Sequence, residues 1–305
     1  MNLGALSPAE LATRLARGGL DVDTGPFVVR VETEISSLGE ALRLLYQDFP
    51  LDAGGGLADF HVAVRRPAGP LGLRRLWRQQ AMVYLDDTCP FEPLPVDMAV
   101  PMLEWGINWC AATQANQYVM IHAAVLERDG RTLVLPGVTG AGKSTLCAAL
   151  AQRGWRLFSD EFALIRPAEG LVDPWPRPIS LKNASIDLIR RWAPAAHLSP
   201  PVLNTNKGTV AHLRPPADSV ARAGEPAMPA WIVFPTFAGD AAPRLTRLPR
   251  ARAFFKLAHC SFNYESLGIR GFTTLSRMIE GCDAYEFTYS SLDDGVRLLG
   301  ALSLP

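Results

Sequence analysis

The sequence predicts an α/β fold: a large domain built around a glycine-rich loop, preceded by a small α+β unit. Three observations carry the prediction. Gly137-Val138-Thr139-Gly140-Ala141-Gly142-Lys143-Ser144 fits the pattern G-x-x-x-x-G-K-[ST] at every specified position. That loop lies between an apolar run, 133–135, and a segment of good helix formers opening at Ser144, so a strand feeds a helix through it. Ahead of it, residues 27–85 hold three strand-like runs and one short helical stretch.

Taken in order, 27–31 reads as a strand, 38–46 as a short helix, and 59–64 and 81–85 as further strands. Gly54-Gly55-Gly56 and Pro67-Ala68-Gly69-Pro70 mark turns between them. Pro93 and Pro95 then punctuate the chain before Met98, Met102, Leu103, Trp105, Ile107 and Trp109, an apolar stripe read as a helix joining the two parts. The organisation expected is therefore a small α+β unit over 1–95 and the larger domain over 96–305. Residues 118–126 read as an apolar strand and 127–130 as a polar turn, which makes a hairpin with the strand entering the loop. The helix after the loop stops at Gly154, and 155–159 reads as a short strand ending at Asp160-Glu161. Farther on, 231–235 and 284–289 read as strands, and 251–260 and 272–279 as helices.

A glycine-rich loop at a helix N-terminus cradles phosphate, because unpaired main-chain N–H groups and the helix dipole face the anion. The pattern predicts binding of a nucleoside triphosphate, with Gly137, Val138, Thr139, Gly140, Ala141, Gly142, Lys143, Ser144 and Thr145 as its contacts. Lys143 is the point charge for the outer phosphates, and Ser144 a ligand for Mg²⁺. Asp160 and Glu161 are expected at the carboxyl edge of the sheet, where ligands of open α/β folds bind and where two acids serve metal and proton chemistry. His122, inside an apolar run, reads on pattern alone as a core residue. Arg177 and Lys182 flank a proline-rich stretch, 173–183, that runs as a loop into an edge strand. They reach the same edge if the loop folds back, and are equally read as solvated surface cations. The polar turn 204–208 is a candidate cover for the site, and Arg214 is equally read as a surface charge; His259, Asn263 and Arg270 are candidates to touch nucleotide or substrate, each with a stronger structural reading.

Ile121-His122 on a strand, a short hairpin, G-x-x-G-x-G-K-S, a helix ending in Arg153-Gly154 and a strand ending in Asp160-Glu161 together resemble the catalytic core of the HPr kinase/phosphorylase family. The match looks closest to the HPr kinase-related bacterial kinases often encoded beside peptide-modification genes. It covers roughly residues 118–165, and the fold is also similar to that of phosphoenolpyruvate carboxykinases. The resemblance implies a P-loop-containing nucleotide domain of that type and an ATP- and Mg²⁺-dependent kinase acting on a hydroxyl, foremost a serine of a protein or peptide. It implies His122 as a site residue, Asp160 as the general base that takes the serine proton, and Glu161 as a metal ligand. The chain departs from the family by carrying Asp160-Glu161 for Asp-Asp, Thr145 for an acid, and no glycine-rich signature after the acids. The last departure implies a one-way kinase. Two alternatives stand: a small-molecule kinase, and a nucleotide-binding regulatory module without phosphotransfer, which would need neither Asp160 nor His122.

The 305 residues, 48% of them apolar, suffice for a sizeable core. Thirty basic and thirty acidic residues balance, so no nucleic-acid partner is expected, and the run Arg65-Arg66 with Arg74-Arg75-Leu76-Trp77-Arg78 reads as a solvated face. Cys89, Cys110, Cys147, Cys260 and Cys282 form no C-x-x-C pair, which argues against a zinc site or a disulfide scaffold. The start lacks a signal-like basic and apolar segment, and no run of about 18 apolar residues occurs. No membrane partner is expected and the cytoplasm is the expected compartment; a homo-oligomer is left open.

Overall fold

The computed structural model describes residues 1–52, 57–67, 79–86 and 88–303. It is a mixed α/β structure with several sheets, divided into two units: Met1–Gln114 with His197–Arg214, and Ala115–Ala196 with Pro215–Pro305. The turns expected at Gly54-Gly55-Gly56 and 68–70, and the basic run 74–78, lie outside the described residues.

In the first unit Ser7 and Glu10 form a reciprocal capping box that starts the helix Pro8–Arg17, a signal present in the sequence and passed over above. Strands β1 (Leu20–Asp23), β2 (Val28–Thr33), β3 (Phe60–Arg65), β4 (Gln80–Leu85) and β5 (Leu94–Pro95) lie side by side in that order. Only β2 and β3 run parallel, joined by a connection that contains the helix Ser36–Leu45. The helix Ala99–Gln114 belongs to this unit and does not join it to the next, so the boundary falls at 114/115 where 95/96 was expected. The reason is close packing. A Cβ at Gly106 would come within 3.0 Å of Val83 and 3.1 Å of Val62, an approach to β3 and β4 that a larger residue keeps only if both valines give way.

The second unit contains β6 (Val119–Arg128), β7 (Arg131–Pro136), β8 (Arg156–Ser159), β9 (Phe162–Ile165), β10 (Val172–Asp173) and β11 (Ile179–Lys182). The hairpin β12 (Val202–Thr205) and β13 (Gly208–Leu213) returns to the first unit, and its turn is the polar segment 204–208. The second unit then adds β14 (Met228–Phe237), β15 (Arg244–Arg247) and β16 (Asp283–Tyr289), which complete the sheet in the order β10-β9-β6-β7-β14-β16-β15, with β8 also on β6. Asp129 and Gly130, with φ of 54° and 76°, make the tight turn of the β6–β7 hairpin. β7, β14 and β16 run parallel, so their carboxyl ends share one edge. Apolar side chains from β6, β7 and β14, including Val125, Val134 and Ile232, pack against Leu257 and Leu275 of two covering helices.

β8 ends at Ser159, directly before Asp160-Glu161, as expected. What the sequence did not announce is β9: after the two acids the chain continues antiparallel along β6 in the register of Ser159, with His122 opposite Phe162, while the one register shift on that flank falls earlier, between Leu157 and Ser159.

Candidate functional site

The register on β6 assembles the site. Ala123 pairs with Pro136 on one side and Val125 with Ser159 on the other, so Gly137 and Asp160 follow from opposite flanks of the same strand, next to His122. The Ala123 N–H donates to the Glu161 carbonyl at 3.2 Å, and His122 Nδ1 lies 3.2 Å from that carbonyl and 3.4 Å from Glu161 Oε2. His122 is half-buried, which places it at the rim of the site and not in the core where its apolar run put it.

The glycine-rich loop leaves β7 at Pro136 and enters the helix Lys143–Ala151. Gly140 and Gly142 have φ of 91° and 89°, a left-handed backbone that other residues adopt at a cost. Gly142 is doubly required. A Cβ there would collide with the Tyr289 hydroxyl, which donates to the Gly142 carbonyl at 3.1 Å. Tyr289 and Phe237, packed edge to face at 5.6 Å, stand at the carboxyl ends of β16 and β14 and brace the loop. The helix has no side-chain cap, so its first-turn N–H groups face the loop.

Lys143 is buried, and its Nζ donates to the carbonyls of Gly137 at 2.6 Å and Val138 at 3.0 Å. Burial lowers its pKa, while the charges of Asp160 and Glu161 act in the opposite direction. Asp160 is the most perturbed acid. Its Oδ2 accepts from the Ser180 N–H at 3.1 Å, but its buried Oδ1 has no hydrogen-bond partner among the described residues. Burial, reinforced by the charge of Glu161, raises its pKa to about 7. The Ser144 side chain, the Ser180 amide and the charge of Lys182 oppose that rise, Ser144 without reaching hydrogen-bond geometry. His122 is shifted downward, by burial first and by Lys143 second, so it is neutral at pH 7.

Of the two cations on the proline-rich stretch, Lys182 contributes its charge to Asp160, His122 and Lys143. Arg177 is not a surface residue: it is 5% exposed and lies over the Trp175 ring at 4.0 Å. Asn263 is a structural clamp on β6, accepting from the Met120 N–H and donating to the Tyr118 carbonyl, and Arg270 donates to the Asn116 carbonyl. Cys260, passed over above as one scattered cysteine, lies against the Gly137 amide and Lys143, with its pKa raised by burial. Nothing in the sequence marks it, Phe237 or Tyr289 as neighbours of the loop.

No group of three or more His, Cys, Asp or Glu is arranged around a metal position among the described residues. What the acids and the loop do share is Asp160: Ser144 lies beside its carboxyl, whose Oδ1 is unsatisfied, and the charge of Glu161 acts on the same group. No helix among the described residues is long and apolar enough to cross a membrane. A family model described as SynChlorMet cassette protein ScmC matches residues 95–187, the stretch that contains His122, the glycine-rich loop and the two acids. No curated protein matches the chain.

Proposed function

We propose that the second unit is an ATP-dependent kinase domain of the HPr kinase type, transferring the γ-phosphate to a hydroxyl, foremost a serine of a protein or peptide. Asp160 is the observation that carries this reading: a buried carboxyl beside Lys143 and Ser144, with one oxygen unsatisfied and a pKa of about 7. A base for a serine hydroxyl works best when its pKa lies near the working pH. The loop amides and Lys143 would hold the phosphates once the lysine exchanges the Gly137 and Val138 carbonyls for them. Ser144 and Glu161 are the residues that would hold Mg²⁺, which when bound neutralises phosphate charge. The serine oxygen attacks the γ-phosphorus, its proton passes to Asp160, and ADP leaves. A binding module without phosphotransfer has no use for a carboxyl so costly to bury.

The test is Asp160→Asn, with labelled ATP, serine-containing peptides, and slow transfer to water as the acceptor-independent readout. Transfer falls by about 10² to 10⁴ while Mg·ATP affinity stays within a few-fold. In the wild type kcat/KM rises with pH through about 7 as Asp160 ionises. Equal loss of binding and transfer would make Asp160 a metal ligand or a structural group and remove the base from the mechanism.

A further inference from the structure

Beside this site the second unit exposes an aromatic surface that the phosphate chemistry does not use. The helix Arg250–His259 ends at Cys260, against the loop, and the next residues lie along β6. The Cys260 carbonyl accepts from the His122 N–H at 2.7 Å and the Phe262 N–H donates to the Met120 carbonyl at 2.9 Å. Phe262 is 48% exposed, and its ring meets His122 at 5.8 Å and Phe162 at 5.0 Å. A second group of aromatic rings lies on two helices, Arg250–His259, the one that ends at Cys260, and Ile269–Gly281. Half-buried Phe254 is its centre, touching Phe255 at 5.9 Å and Phe272 at 5.4 Å. Phe255 is 73% exposed, Phe272 48%, and Ile269, one turn before Phe272 on the same face, 79%. Isolated exposed apolar residues need no explanation, but exposed rings grouped around Phe254, on a helix that ends against a reactive site, mark an interaction surface.

The charge around it says what it takes. Residues 250–281 carry five Lys and Arg against two Glu, in a chain whose thirty basic and thirty acidic residues balance. Arg250, Arg270 and Arg277 each donate to main-chain carbonyls, of Glu280, Asn116 and Ala168, which fixes the guanidinium without neutralising it. Arg252 and Lys256 share one acid, Glu286.

We infer that this face, from Phe262 across Phe255, Ile269 and Phe272, docks the acceptor, and that the acceptor segment is an acidic peptide bearing large apolar side chains next to its serine. The inference rests on the kinase reading for the word acceptor, but the docking itself needs no phosphotransfer. The helix that carries Phe255 ends where the Cys260 carbonyl accepts from the His122 N–H, which argues for a peptide that enters the site and against a lipid surface or a second copy of the chain, neither of which needs to reach Asp160.

A display library of random twelve-residue peptides with a fixed central serine tests it, selected on the wild-type chain and re-tested on the double variant Phe255→Ser, Phe272→Ser. Both residues are exposed and Phe254 is kept, so the fold has no reason to fail; unchanged Mg·ATP affinity of the variant verifies that. The recovered pool is enriched in Asp and Glu together with Leu, Phe or Trp, and its members bind the variant about tenfold or more weakly, as loss of two anchor rings requires. A pool without acidic enrichment, or one that binds the variant equally well, overturns the inference. So does a wild-type dimer that the variant abolishes, or sedimentation with phosphatidylserine vesicles that the variant loses, since either assigns the face to another occupant. Tight peptide binding without phosphate transfer would instead sink the kinase reading and leave the docking surface standing.

Discussion

Arg156 and Asp160 bracket the same short strand, both are buried, and they are treated in opposite ways. The Arg156 guanidinium donates to Glu127 at 2.6 Å and to the carbonyls of Arg222 and Glu225 at 3.0 and 3.1 Å, while the other Glu127 oxygen accepts from Gly130. Both side chains of the pair are 5% exposed. At the other end of β8, Asp160 keeps one oxygen without a partner and its carboxyl is pushed to about 7. A buried charge whose hydrogen bonds are all made is a structural element; one left incomplete stores a cost that a bound cation or proton can relieve. The strand thus separates a finished end from one that keeps an unmet carboxylate oxygen.

The sharpest way to break this comparison is Arg156→Ala. It leaves Glu127 buried without its cation and costs about 3–5 kcal/mol of stability. A denaturant midpoint that hardly moves would mean the pair is no more committed than Asp160. The second change goes the other way. Because the folded pKa of Asp160, about 7, lies above the ordinary 3.8, the native state holds the extra proton between those values. Its contribution to stability therefore falls as pH rises from about 4 to about 7 and is flat above. Asp160→Asn removes that loss and stabilises the unliganded protein by up to about 4 kcal/mol at pH 8, and by less at pH 5. Equal gains at both pH values, read from paired thermal and denaturant unfolding, would dissociate the effect from ionisation. The smallest effect is Tyr289→Phe, which deletes one hydrogen bond to the loop, costs about 1 kcal/mol, and weakens Mg·ATP binding by no more than a few-fold in titration calorimetry.

Local chemistry made one side of this site legible. The glycine-rich loop, the Asp129-Gly130 hairpin and the adjacent acids are each specified by neighbouring residues, and a sequence displays them directly. The residues from distant strands are not displayed that way: Tyr289 and Phe237 look like ordinary strand aromatics until β7, β14 and β16 are laid side by side. The proline-rich stretch misled for a different reason. Residues 172–179 are all buried, although Pro174, Pro176 and Pro178 suggest a surface loop. Proline has no N–H to satisfy, and within 174–178 the two that remain, of Trp175 and Arg177, donate to the carbonyls of Phe158 and Trp175. β9 was missed because two adjacent acids look like the end of the pairing, whereas the chain resumes its ladder on β6 directly after them.

The brace between Tyr289 and Gly142 spans 147 residues of chain, and it bears on synthesis as well as on the finished molecule. While the polypeptide is being made, β7, the loop and its helix emerge long before β16. The glycines of the loop, flexible by nature, then have neither the Tyr289 hydroxyl nor the Phe237 ring against them. A nascent chain with only the first part of the second unit outside the ribosome holds the glycine-rich sequence but not the brace, and the loop is completed from the far end of the chain.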